Sequence, residues 1–98
     1  MYKSIILPAA KHDIREAAQW YNQQQNGLGK RFLAEVRKKN DLLKQNPLAY
    51  SIRYGNIRTA ILDIFPFMIH FTIENTETLL ILSVLHTSQN PESWPGRK

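Results

Sequence analysis

Ile57-Arg58-Thr59-Ala60-Ile61-Leu62-Asp63-Ile64-Phe65, Pro66, Phe67-Met68-Ile69-His70-Phe71-Thr72-Ile73-Glu74, the polar Asn75-Thr76-Glu77, and Thr78-Leu79-Leu80-Ile81-Leu82-Ser83-Val84-Leu85-His86 form one continuous run. It reads as three β-strands. The middle strand alternates most clearly: Phe67, Ile69, Phe71 and Ile73 point one way, and Met68, His70, Thr72 and Glu74 the other. The last strand is apolar on both sides, as an interior strand is. No other segment supplies a larger core, so the remaining segments are read as packing on this sheet or hanging from its rim.

Upstream, residues 2 to 7 read as a short strand that Pro8 ends. From about Ala10 to Gln25, Ile14, Ala17, Ala18 and Tyr21 recur three and four apart, the spacing of an amphipathic helix, with Trp20 widening the stripe. Asp13 and Glu16 are placed near its start, where the helix dipole favours negative charge. Asn26-Gly27-Leu28-Gly29 breaks the helix, both glycines permitting positive φ. A second helix runs from Leu28 or Gly29 to Gln45 on Phe32, Leu33, Val36 and Leu43, and Pro47 stops it. So short a link predicts an antiparallel helical hairpin. Gly55-Asn56 predicts a two-residue turn between Ile52–Tyr54 and the strand from Ile57, and Pro66 a corner or bulge. The expected class is α+β: an N-terminal strand, the hairpin, then an antiparallel meander, giving a four- to five-stranded sheet with the helices on one face.

Length and composition bound the function. The 98 residues make one domain, residues 1–98, of which 87–98 read as a polar tail with Trp94 pinning it to the body. There is no cysteine, which excludes disulfides and thiolate metal sites. Ile5-Ile6-Leu7 is too short for a signal segment and no stretch is long enough for a membrane helix, so a soluble cytoplasmic protein without a membrane partner is expected. The formal charge is +5. It favours contact with nucleic acid or an acidic protein without choosing between them. The outer face of the second helix carries Lys30, Arg31, Arg37, Lys38, Lys39 and Lys44, for which a solvated face outweighs a nucleic-acid surface.

Common catalytic signatures are missing. The three histidines have no metal-ligand spacing, and there is no phosphate loop and no serine elbow, so no cofactor or metal is expected. What remains is Arg53 and Arg58 flanking the turn, and His86 ending the last strand. A base, a cation and an acid suffice for metal-independent RNA cleavage, and a histidine with one or two arginines covers those roles. Such residues on strands are more often structural.

The string Asp13-Ile14-Arg15-Glu16-Ala17, Trp20-Tyr21, Gly27-Leu28-Gly29 and Phe32-Leu33-Ala34-Glu35-Val36 resembles the helical half of the RelE/ParE toxin superfamily. Asn46-Pro47, Tyr50, Ile57-Arg58-Thr59-Ala60-Ile61-Leu62, Phe65-Pro66-Phe67, Val84-Leu85-His86 and Asn90-Pro91-Glu92-Ser93-Trp94 continue the resemblance across nearly the whole chain. It implies a toxin of a bacterial type II toxin–antitoxin pair, with a cognate antitoxin whose tail wraps it. The strings sit closer to the ParE-like branch, whose members inhibit DNA gyrase, than to the RelE-like branch, whose members cut mRNA on the ribosome. On the second reading Arg58 and His86 are catalytic; Arg53, Arg37, Lys38 and Arg97 are candidate contacts for RNA or antitoxin on either. Gln89 stands where an arginine is usual, and the C-terminal tyrosine of many RNA-cleaving members is absent. Both departures weigh against RNA cleavage and leave a third reading, an inactive remnant that only binds antitoxin.

Overall fold

The computed structural model describes residues 1–89; Trp94 and Arg97 lie outside them. β1 spans Lys3–Ile6, α1 Pro8–Gln24 and α2 Leu28–Gln45, followed by a 3-10 turn at Pro47–Ala49. β2 (Ile52–Tyr54), β3 (Ile57–Ile61), β4 (Phe67–Ile73) and β5 (Thr78–His86) complete one sheet, in the order β1-β5-β4-β3-β2. The last four strands are the antiparallel meander expected; β1 joins the far side of β5 in parallel, from Lys3↔Thr78 to Ile6↔Ile81.

Pro8 both ends β1 and starts α1, since its fixed φ suits the first helical position and the missing N–H has no partner there anyway. The helix therefore begins earlier than the apolar spacing indicates. Its first turn holds no acidic residue. Asp13 serves differently: its carboxylate accepts the Val84 N–H at 3.1 Å and ties α1 to β5. At the hairpin, Gly27 adopts φ +89°, and its N–H donates to Asn22 Oδ1 at 2.9 Å. Gly29 is needed for another reason than backbone freedom. A Cβ there would stand 2.4 Å from the Ala18 carbonyl oxygen, so the two helices touch backbone to backbone at this point.

The helices cover the sheet face formed by Ala60, Ile69, Phe71, Leu79, Ile81 and Val84. Phe32 is fully buried at the centre of this layer, its ring 5.4 Å from Tyr21, 5.3 Å from Phe65 and 5.1 Å from Phe67. Two sequence expectations are corrected, the end of β3 and the place of Trp20. β3 stops at Ile61, not Phe65. The chain doubles back because Leu62 N–H bonds Phe67 C=O at 2.9 Å, which lets Leu62 and Phe65 fold onto the helix side. Pro66 stands in the corner expected between β3 and β4, while the ladder irregularities lie elsewhere, between Ile52 and Tyr54 on β2 and between His70 and Phe71, opposite Leu82. Trp20 does not extend the buried stripe; it is 56 % exposed.

Gly29→Ala is expected to lower stability by about 1–3 kcal/mol, because the added methyl must push two helices apart. A urea titration followed by circular dichroism measures it; an unchanged midpoint would show that the hairpin can open at no cost.

Candidate functional site

Arg58 lies on β3 opposite Phe71, so its side chain leaves the sheet on the helix-covered side. There its Nη1 donates to the Tyr50 carbonyl, and the Tyr50 ring meets Phe71 at 6.0 Å. The half-buried guanidinium thus fastens the segment that carries the chain from α2 into β2.

His86 ends β5 opposite Phe67, with the two rings 5.2 Å apart. Its Nδ1 accepts the Ser88 N–H at 3.1 Å and lies 2.7 Å from Ser88 Oγ. Arg58 and His86 share a sheet face but do not meet. Their partners Phe71 and Phe67 are four residues apart on β4, and they sit on strands to either side of it. Strand geometry puts roughly 16 Å between their backbones.

The other candidate cations are dispersed. Lys38 and Lys39 of α2 both reach Asp63, at 3.8 and 3.2 Å, and so clamp the loop after β3. Arg37 lies on α2 beside a smaller groove with Ile6, Ile14, Leu33 and Asn40. Arg53 is on β2, close enough to His70 for its charge to act there. The cations therefore form no single basic site among the described residues.

His70 is the ionisable group most changed by folding. It is fully buried on the sheet face away from the helices, where its Nδ1 lies 3.1 Å from the Tyr54 hydroxyl. Burial, and secondarily the charge of Arg53, lower its pKa from the ordinary 6.5 to about 4.

A groove opens between α1 and the end of the sheet, lined by Ala17, Trp20, Tyr21, Pro66, Phe67 and His86, with a volume of about 490 Å³. Beside it a second hollow of about 420 Å³ shares Trp20, Phe67 and His86 and adds Asp13, Glu16 and Gln89. Sequence reasoning singled out His86 but missed the groove around it. Its one sequence signal is Trp20, an aromatic at the margin of the helical stripe. Among the described residues no group of three or more histidine, cysteine, aspartate or glutamate side chains could hold a metal, and no helix is long and apolar enough to cross a membrane.

The helical hairpin laid on one face of a sheet whose first strand runs parallel to its last, together with a family match over most of the chain, makes this chain a RelE/ParE superfamily toxin. Within that class the match is narrower. Residues 5–91 fit the family described as the ParE toxin of the type II toxin–antitoxin system parDE, and the chain belongs to it. The fold is also that of a chain in the chromosomal ParDE TA system from P. aeruginosa, with a TM-score of 0.80 over 90 % of this chain and 98 % of that one. The two share 15 % sequence identity, a level at which the likeness speaks for the fold alone. No curated protein matches the sequence.

The low pKa of His70 has a thermodynamic consequence. Between about pH 4 and 6.5 the unfolded chain binds a proton that the folded chain refuses, so stability falls as the pH drops through this window. The expected loss is on the order of 2–3 kcal/mol. Urea midpoints measured from pH 7 to pH 4 should decline accordingly, and the decline should be shallower in His70→Gln; equal slopes would assign the effect to other groups.

Proposed function

We propose that this toxin arrests growth by binding DNA gyrase and is neutralised by a cognate antitoxin encoded beside it. Membership of the ParE family supports a type II toxin, and the name of that family's system, parDE, supports an antitoxin partner. The observation that favours gyrase over mRNA is the separation of Arg58 from His86. A phosphodiester is a few ångströms across, and in-line transfer needs its base, its cation and its acid around that one group. Here the arginine is engaged with Tyr50 and the histidine with Ser88, roughly 16 Å apart by strand geometry. Inhibition of an enzyme by surface binding needs no such convergence.

Induction without antitoxin should stop DNA synthesis before translation declines, and the purified protein should inhibit gyrase supercoiling. Supercoiling left unchanged at saturating protein would end this reading, and absence of any growth defect would favour the inactive remnant.

The ribonuclease alternative makes a separate demand on the same residues. If it held, Arg58→Ala and His86→Ala would each abolish toxicity in protein that remains folded. On the gyrase reading, His86→Ala should retain toxicity to within about threefold, since it removes no buried charge pair. Dose-dependent growth curves with matched expression decide between them.

A further inference from the structure

The parallel strand β1 is shorter than its partner. It ends at Ile6, opposite Ile81, with one last bond from Leu7 N–H to Ile81 C=O at 3.0 Å. β5 runs five residues further, to His86, and on that side no strand among the described residues accompanies it. Hydrogen-bond parity says which groups are left. Thr87 N–H donates to Pro66 C=O, so Phe67 and His86 are a non-bonded pair, and Ser83 and Leu85 turn their main-chain groups to β4. Val84 and His86 turn theirs outward. Asp13 takes the Val84 N–H, and Gln89 N–H donates to the His86 C=O at 3.0 Å. Among the described residues the Val84 carbonyl and the His86 N–H remain, an acceptor and a donor two residues apart on an open edge. One residue of an extended segment running parallel to β5, in line with β1, satisfies both.

The surroundings define what that segment carries. The edge borders the hollow where Trp20 and Phe67 meet Asp13 and Glu16. Glu16 is exposed and, among the described residues, pairs with His12 at 2.8 Å and with no other cation. Asp13 is half-buried with one hydrogen bond, and burial raises its carboxyl above the usual range. An aromatic wall beside two carboxylates fits an alkyl stem ending in a cation. The chain as a whole is basic, so this is a local reversal of charge.

We propose that this groove receives an extended segment of the antitoxin, paired with Val84 and His86, whose arginine or lysine crosses Trp20 and places its charge between Asp13 and Glu16. The source of the segment rests on the antitoxin reading above; the chemistry of the groove does not.

Two measurements separate the two claims. The ¹⁵N-labelled full chain is titrated with the blocked pentapeptide Val-Arg-Val-Thr-Val and with its counterpart carrying glutamate for arginine. The arginine peptide should shift the His86 amide and the Trp20 indole N–H and bind at least about tenfold more tightly than the glutamate peptide, and Glu16→Gln should remove most of that preference. Equal affinities, shifts gathered on Ser4 and Ile6 of the β1 edge, or the same shifts produced by raising protein concentration alone (a second copy in the groove) would overturn the proposal. The protein encoded beside this chain is then captured on wild type, on Trp20→Ala and on Glu16→Gln. Capture weakened about tenfold or more by each variant supports the proposal. Unchanged capture overturns it and leaves the antitoxin reading intact. No capture by wild type overturns that source of the segment, while the peptide titration still decides the groove.

Discussion

Phe32 is the side chain on which the arrangement turns. It belongs to α2, yet its ring packs against Tyr21 of α1, Phe65 of the loop after β3 and Phe67 of β4. Both helices and the corner that leads into β4 are held together by one fully buried ring. Aromatic contacts of this kind favour edge-on geometry, which fixes orientation as well as distance. The consequence reaches the surface. Tyr21 sets the direction of its neighbour Trp20, whose ring stands edge-on to it at 5.1 Å, and Phe67 supports His86. The groove is therefore the outer wall of the core.

Charge is organised around that core more than it is gathered into a site. Lys38 and Lys39 hold the loop that brings Phe65 to Phe32, and Arg58 holds the connection into β2. The exposed pairs contribute little energy individually. Their effect is positional: they join α2 to irregular segments where no strand ladder does so. The acidic side chains Asp13 and Glu16 sit together on α1 beside the groove, whereas the lysines that reach Asp63 belong to α2.

Much of this was legible before any coordinates. Period-two alternation in residues 67–74 and period-3.6 spacing in both helices follow directly from which face must leave water, and the hairpin and meander follow from short connections. Other features left no such trace. Leu62 and Phe65 look like strand residues because burial in a folded-back loop selects the same side chains. The irregularity at Leu82 is invisible because β5 is apolar on both faces, so slipping by one residue breaks no pattern. Gly29 reads as a turn glycine although it answers to the Ala18 carbonyl. Asp13 reads as a dipole partner although it answers to Val84, 71 positions away in sequence. At the site, Arg58 and His86 could be named from sequence, but the distance between them depends on strand order and register, which no local pattern carries.

The parallel pairing of β1 with β5 also sets a timetable. Lys3 must find Thr78, and Ile6 must find Ile81, so the strand made first waits for the strand made last. Closing so long a loop is entropically slow, and pairings of this kind dominate folding times. The hairpin and the meander can form from local contacts while the chain is being synthesised. The sheet cannot be completed, nor the open edge beyond Ile81 created, until translation has passed β5. A growing chain thus lacks this edge and the groove beside it until synthesis has passed residue 86, so the first strand made has no sheet partner until then.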